Sequence, residues 1–358
     1  MHYPGGVGTP PTEPQSRLRA EPQIVEVTGA GGPGFEGLLA VRQAHDAEIW
    51  PGDPPVPAAE LAAALFAQPP DRRVRSWLAT VDGEPAGSAH SRQHLDGVNE
   101  ATVRLEVSTP AAHRRRGLAR RLAAVMLPVL AEHGVTSVYG WPMDAAGEAF
   151  CRHLGMTERQ QDSCNRLCIT DLDADQHRAW IDEAPARAAG YRLVGWVGAT
   201  PDEWVDALAR ALDAMVDAPT DELDWVPQRV TAAQVRDGER AVDAAGYDMV
   251  RTLALAPDGS AAGMSELMVA RLRPSLARQG DTGVVAAHRG VRLGRWLKAE
   301  NLRRALDHQP GIEVVETFNA TSNGHMMAIN EAMGFRRYRT FATYQGPLDR
   351  ALAVVTRA

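Results

Sequence analysis

His113-Arg114-Arg115-Arg116-Gly117-Leu118-Ala119 and His288-Arg289-Gly290-Val291-Arg292-Leu293-Gly294 are two versions of one stretch, and their reading decides the fold. Each follows a strand-like run and opens an amphipathic helix. The first amides of a helix lack an intrahelical acceptor and sit at the positive end of its dipole. A strand feeding straight into such a helix presents those amides to an anion, usually a phosphate. Glycine allows a positive φ and close approach of a ligand to the backbone, and neighbouring arginines add charge-assisted bonds. The stretch reads as a pyrophosphate cradle, without the Lys-Ser/Thr ending of a P-loop.

Outward from the two turns, one order of elements occurs twice. Ile24–Val27 reads as a strand, followed by helical stretches at 35–50 and 58–67. Trp77–Val81 and Ala86–His90 flank Asp82-Gly83, a pair that favours a tight hairpin turn. Thr102–Val107 enters the first turn; beyond it Leu118, Leu122, Val125, Met126 and Val129 recur at helical spacing, with Pro128 crowding the last turns. Val135–Tyr139, Ala145–His153 and Asn165–Ile169 follow as strand, helix and closing strand. The second copy restarts at Tyr191–Val197, with helices at 201–215 and 231–244 and strands at 250–256 and 262–270 around Asp258-Gly259. Thr282–Val285 enters the second turn, Ile312–Phe318 and His325–Met333 follow, and Phe341–Tyr344 closes the copy. The turn arginines Arg114 and Arg289 lie 175 positions apart, and Gly155-Met156 and Gly334-Phe335 lie 179 apart, so the spacing scarcely drifts. Residues 1–20 read as a flexible tail, 21–171 as an N-terminal domain, 172–188 as a linker and 189–358 as a C-terminal domain. Each domain is an α+β unit with a mixed, mostly antiparallel sheet flanked by helices.

Composition narrows the function classes. Of 358 residues, 44% are hydrophobic and 23% charged, as in ordinary soluble globular chains. No apolar run approaches the ~20 residues of a membrane span, and the first twenty residues carry no signal-peptide pattern. Three cysteines in this length form no disulfide framework, so a cytoplasmic setting is expected. A formal charge of −7 makes Arg114–Arg116 a local feature and argues against nucleic acid as a partner. Gly29-x-Gly31-x-x-Gly34 mimics a dinucleotide fingerprint, but Pro33 and the lack of a following parallel β-α-β series make it a loop. Cys164-x-x-x-Cys168 reads as core rather than metal ligands, and no metal is expected.

Arg114-x-x-Gly117-x-Ala119 resembles the Q/R-x-x-G-x-G/A signature of the GCN5-related N-acetyltransferases (GNAT), and the element order resembles theirs. His288-Arg289-Gly290, Leu293-Gly294 and Asn323-x-x-Met326-x-x-x-Asn330 resemble the same elements in the second copy. The whole is similar to a tandem acetyltransferase of the general type that includes mycothiol synthase. The resemblance implies acetyl-CoA or another acyl-CoA as co-substrate, and direct transfer to a primary amine of a small molecule. It implies cofactor contacts at Arg114, Arg116, Gly117 and Ala119 in the first copy. In the second it implies them at Val284, Val285, Arg289, Gly290, Val291, Arg292, Leu293, Gly294 and Asn323.

Copy one departs at Asp144, where the family's asparagine is expected, and copy two at Arg292, where the middle glycine is expected. The family's tyrosine, seven residues after that asparagine, is Cys151 in copy one and Asn330 in copy two. The second copy, with the fuller later helix, is expected to be the active one and the first the degenerate one. Glu266, Asp281 and Glu316 are its candidate bases, Glu106 that of the first copy, and Tyr344 the candidate acid. The loop Asp217–Thr220 is expected to shape the acceptor pocket. Alternative readings are a non-catalytic acyl-CoA- or partner-binding module, or an acyltransferase fed by aminoacyl-tRNA or a carrier-protein thioester. A homodimer is compatible with all of them.

Overall fold

The computed structural model describes residues 21–357, so the tail expected at 1–20 lies outside the described residues. The first half runs β1 (Gln23–Glu26), α1 (Pro33–Ile49), α2 (Ala58–Phe66), β2 (Arg72–Val81), β3 (Glu84–His94), β4 (Thr102–Ser108), α3 (Leu118–Glu132), β5 (Ser137–Gly140), α4 (Ala145–His153) and β6 (Thr157–Cys168). Helices α5 (Ala174–Asp182) and α6 (Ala184–Arg187) occupy the stretch expected as a linker. The second half runs β7 (Arg192–Val197), α7 (Val205–Leu212), α8 (Ala232–Ala244), β8 (Tyr247–Leu255), β9 (Ala261–Ala270), β10 (Leu276–Val284), α9 (Leu293–His308), β11 (Val314–Ala320), α10 (Gly324–Met333) and β12 (Arg336–Pro347). A last helix, α11 (Leu348–Thr356), was not expected from the sequence.

Local chemistry sets the boundaries. Asp82 and Gly83 both take positive φ, 54° and 84°, which matches a two-residue hairpin turn to the strand twist. Thr231 and Gln234 form a reciprocal capping box at the start of α8. Asp144 caps α4 through the Gly147 amide at 2.7 Å, and Asn323 caps α10 through the Met326 amide at 3.2 Å. The glycine run before α1 is a loop after a strand that pairs antiparallel with β2, so no parallel dinucleotide-binding unit forms there.

The twelve strands of the described residues form one sheet, in the order β1-β2-β3-β4-β5-β12-β6-β11-β10-β9-β8-β7. Phe341–Tyr344 therefore does not close the second copy. Its strand, β12, inserts between β5 and β6 of the first half, while β6 pairs with β11 of the second. Each half lends its closing strand to the other about a pseudo-twofold axis between β6 and β12. The cores follow the exchange. Ala342, Tyr344, Leu348, Ala351 and Val355 complete the core under α3, and Leu167 is buried in the second half's core with Phe335 and Met333. On one face of the first half α3 and α11 cover Trp77 and Ala79; on the other, α1 and α2 cover Leu78.

Neither half should fold alone. Residues 21–188 expressed without the rest should show no cooperative thermal transition by circular dichroism, and co-expression with 189–358 should restore one. Leu167→Ala should cost about 2–5 kcal/mol of global stability, read by denaturant unfolding, because the cavity opens in the other half's core.

Candidate functional site

Both arginine turns have one backbone. A short 3-10 turn ends at His113 or His288, the next arginine is extended, and two positive-φ residues precede the helix. In the first turn these are Arg115 (59°) and Gly117 (80°); in the second, Gly290 (94°) and Arg292 (60°). Each copy thus spends one glycine and holds one arginine in the left-handed region, at opposite positions. The first backbone bond after Gly117 runs from the Arg121 amide to the Gly117 carbonyl at 3.1 Å, which leaves the intervening helix-start amides facing outward.

Arg114 and Arg289 do not extend toward an incoming phosphate. Arg114 Nε donates to the Thr109 carbonyl at 2.9 Å, and its Nη2 pairs with both Glu48 and Asp144. Arg289 Nε donates to the Val284 carbonyl at 3.0 Å and pairs with Asp217 at 2.7 Å. The two arginines clamp the turn to the strand before it. Arg116 is exposed, Leu293 is buried beneath α9, and a Cβ at Gly294 would meet only ordinary contacts at 3.7 Å, consistent with Ala119 at the matching place. Asn323 spends its side-chain oxygen on its helix cap. Val285 donates its amide to Ala262 at 2.9 Å, so alternation along the strand turns Val284, not Val285, toward β11.

Parallel pairing of β4 with β5 ends at Arg104–Tyr139, and that of β10 with β11 ends at Arg278–Glu316. Beyond those pairs the strands splay. Through the first splay runs a cavity of about 790 Å³. On the α3 side its wall is apolar: Leu105, Val107, Ala123, Met126, Phe150 and Met156. On the α1–α2 side it widens into a charged basin with Arg42, His45, Arg92, Arg104 and Glu106, and it continues along the sheet to Arg278 and Glu316. Leu223 reaches it from the α7–α8 connection of the second half, and Trp225 beside it packs on His94 and Tyr139. The expected loop Asp217–Thr220 thus stops just short of the residues that arrive here. Trp196 and Trp204 pack against the second half's core.

Electrostatics in the basin follow from crowding. Burial alone would raise Glu106, but Arg42 and Arg104, at 3.4 and 3.2 Å, hold it well below the usual carboxylate range. Burial lowers His45, leaving a neutral imidazole whose Nδ1 is buried without a partner. His90, bonded to Ser76 at 2.9 Å, is pushed down to about 4 by burial. Burial raises the Cys151 thiol to about 12, so it stays protonated.

The second-half candidates are dispersed. Glu316 is held by Arg278 at 2.7 Å and Arg166 at 3.3 Å. Tyr344 is 1% exposed in the first half's core, its hydroxyl bonded to Arg152 at 2.6 Å. Glu266 and Asp281 do come together: a one-residue bulge in β10 between Gln279 and Thr282 re-aims Asp281, and burial, then the Glu266 charge, raises its pKa. Glu266 itself accepts from Arg251 at 3.2 Å. His288 bonds Tyr191 at 3.0 Å, and His325 is exposed. The layer matching the apolar wall of the first splay is polar here. Gln279, Thr282, Lys298 and Asn301 stand where Leu105, Val107, Ala123 and Met126 stand in the first half, and all four are buried. Among the described residues no group of three or more His, Cys, Asp or Glu is placed to hold a metal, and no helix is long and apolar enough to cross a membrane.

The fold can now be placed among known structures. The chain is similar to a tandem GNAT protein from the clavulanic acid biosynthesis pathway, solved without AcCoA, with a TM-score of 0.75 and 25% identity over 92% of this chain and 99% of that one. The chain has the tandem GNAT fold. A GCN5-related N-acetyltransferase from Sphaerobacter thermophilus shares the fold at a TM-score of 0.65 and 14% identity, over 91% of this chain and 96% of that one. No protein-family model and no curated protein matches the sequence. The tandem GNAT architecture, of acetyltransferase type, accounts for the two cradles and the two splays. The apolar channel lining the first splay carried a sequence signal, since Ala123 and Met126 stand where the repeat puts Lys298 and Asn301. Of the charged basin the sequence singled out only Glu106 and Glu316, because its residues come from five separate elements, α1, β3, β4, β10 and β11.

Lys298 offers a test of the divergent layer. It is 1% exposed with its ammonium 5.4 Å from the centre of the Phe335 ring, and burial lowers it to about 7. Its folded pKa lies below the unfolded value near 10.4, so the unfolded chain binds more protons between those limits and stability rises with pH from about 7 to about 10. Lys298→Met should raise Tm at pH 7 and flatten that rise, as measured by calorimetry across the window.

Proposed function

We propose that the first half binds acetyl-CoA, or another small acyl-CoA, and transfers the acyl group to a primary amine of a small molecule. The cavity through the β4–β5 splay carries this reading, apolar on one side of the sheet and charged on the other. The outward amides after Arg114 would take the pyrophosphate, and the channel between Leu105, Val107, Ala123 and Met126 would take the pantetheine arm. By the alternation that turns Val284 toward β11, the Val107 amide faces the splay, where it would meet the thioester oxygen as negative charge develops. The amine enters from the α1–α2 side as the free base and attacks the carbonyl carbon, and its nitrogen then loses a proton to neutral His45. Glu106, fixed as a carboxylate, favours the imidazolium that forms. Collapse expels the CoA thiolate, which the same proton neutralises. The similar tandem protein belongs to a small-molecule pathway, which supports a small acceptor.

A second reading keeps the chemistry in the second half, favoured by the raised pKa of Asp281 beside Glu266. Its buried polar layer suits a pantetheine arm less well, because amides and an ammonium would have to be desolvated against it.

Calorimetric titration with acetyl-CoA separates the readings. Ala123→Phe should weaken binding about tenfold or more by filling the channel, and Asp281→Asn should leave binding and turnover intact. The reverse pattern places the chemistry in the second half. Binding without CoA release across a broad amine panel identifies a non-catalytic module. His45→Gln should lower kcat about a hundredfold. In the wild type kcat/KM should fall as pH drops through a midpoint below 6.5, because burial lowers the His45 pKa and only the neutral ring accepts a proton.

A further inference from the structure

The charged basin does not balance. Along its far reach the charges pair off: Arg166 and Arg278 with Asp53 and Glu316, and Arg273 with Glu60. Around Glu106 they do not. Among the described residues Arg42, Arg92 and Arg104 form ion pairs with Asp46 and Glu106 alone, Asp144 and Glu60 being taken up by Arg114 and Arg273, and the two histidines there are held neutral by burial. The surplus sits on Arg92. Its Nε is buried with no partner, and among the described residues it makes no ion pair. It stands directly across the β3–β4 ladder from Arg104, an opposition of like charges that destabilises a sheet. Arg104 spends one nitrogen on Glu106 and lies over the Trp141 ring at 4.4 Å, which fixes its plane. Burial, then Arg104, lowers Arg92 to about 10, and the charge of Glu106, already shared by Arg42 and Arg104, offsets them only in part. Leaving a buried guanidinium uncompensated is costly, and a cavity wall is where a ligand can compensate it.

We propose that the acceptor amine also carries a carboxylate, and that Arg92 together with Arg104 is its receptor. One unpaired positive charge matches a monoanion, and a guanidinium fork matches a planar two-oxygen group. The acceptor class is an amino acid or a closely related amino-carboxylate, its amine toward His45 and Glu106 and its carboxylate toward Arg92. Trp141 and Tyr139 bound the same part of the cavity and supply apolar cover.

This inference rests on placing the acceptor in the first half, and it is tested without turnover. Full-length protein saturated with CoA is titrated calorimetrically with N-acetylglycine, N-acetylalanine and Nα-acetyllysine, each beside its carboxamide. The acids should bind at least tenfold more tightly than their amides. Arg92→Gln should erase that difference and Arg92→Lys should keep part of it. Arg92→Gln should also melt at a higher temperature in the absence of ligand, because it removes an uncompensated buried charge; a merely structural arginine would melt lower. Equal binding of acids and amides, binding of neither, or discrimination that survives Arg92→Gln would overturn the proposal. The acetyl-CoA titration of Ala123→Phe reads the functional assignment separately, so the two fail independently.

Discussion

The exchange of β6 and β12 at the centre of the sheet is the constraint on which the rest of the molecule depends. Backbone hydrogen bonds of a buried strand must be satisfied, and here they are satisfied only by the other half. β12 spans from β5 to β6, and β6 from β12 to β11. From β12, Arg339 donates to the carbonyls of Met143 and Ile49 at 2.8 and 2.7 Å, tying the β5–α4 loop and the end of α1 to a second-half strand. Across the exchange each half's helical connection reaches its neighbour. Arg273 and Tyr247 bond Glu60 of α2, while Asp224 and Val226 bond Gln345 and Asn99. The continuous basin is a product of this arrangement, since no single half supplies all of its walls.

That dependence explains why one half can diverge without unfolding. With the closing strands exchanged, the pseudo-equivalent layers beneath α3 and α9 share one sheet but answer to separate demands. Under α3 the layer is apolar and lines a channel. Under α9, Thr252 stands where Trp77 stands, and Gln279, Thr282, Lys298 and Asn301 replace Leu105, Val107, Ala123 and Met126. Thr252 and Asn301 bond at 3.0 Å, and Gln279 bonds Ser265 at 3.2 Å. Buried hydrogen bonds of this kind contribute only about 1 kcal/mol each, less than the apolar burial they displace. The neighbouring half must carry part of that cost.

The repeat was legible in the sequence because its signals are local. Helix starts, the Asp82-Gly83 turn and the glycine turns depend on the residues that carry them, and Ala145–His153 falls where periodicity puts it. The exchange was not legible. Strand propensity does not name a partner, and β12 has the same alternation whether it closes its own half or the other. Tyr344 shows the consequence: a plausible proton donor in a linear reading, it is a buried core residue of the opposite half. Arg114 and Arg289 show another limit. Their spacing suggests an anion-binding turn, but their nitrogens hold the turn to its strand, so the proposed anion would meet the backbone amides instead. The bulge at Gly280-Asp281 displaced the start of β10 from the expected 282 to 276, because an extra residue breaks the alternation on which strand reading relies.

Charge accounting, rather than motif, then distinguishes the two halves. In the second half Arg251 sits between Glu239 and Glu266 at 2.5 and 3.2 Å, burial and the Glu266 charge hold Asp281 toward its neutral form, and the buried Lys298, which makes no ion pair among the described residues, faces an aromatic ring. In the first half the excess is a guanidinium at the wall of a cavity. A protein can tolerate a buried lysine by letting it lose its proton; an arginine has no such escape, since its guanidinium stays charged. An unpaired arginine facing open volume is therefore a stronger pointer to a missing anion than a perturbed lysine in a closed core. It also supports the proposal that substrate recognition lies in the first half, whose splay has the apolar channel, although the glycine signature alone treats the two halves as near equals.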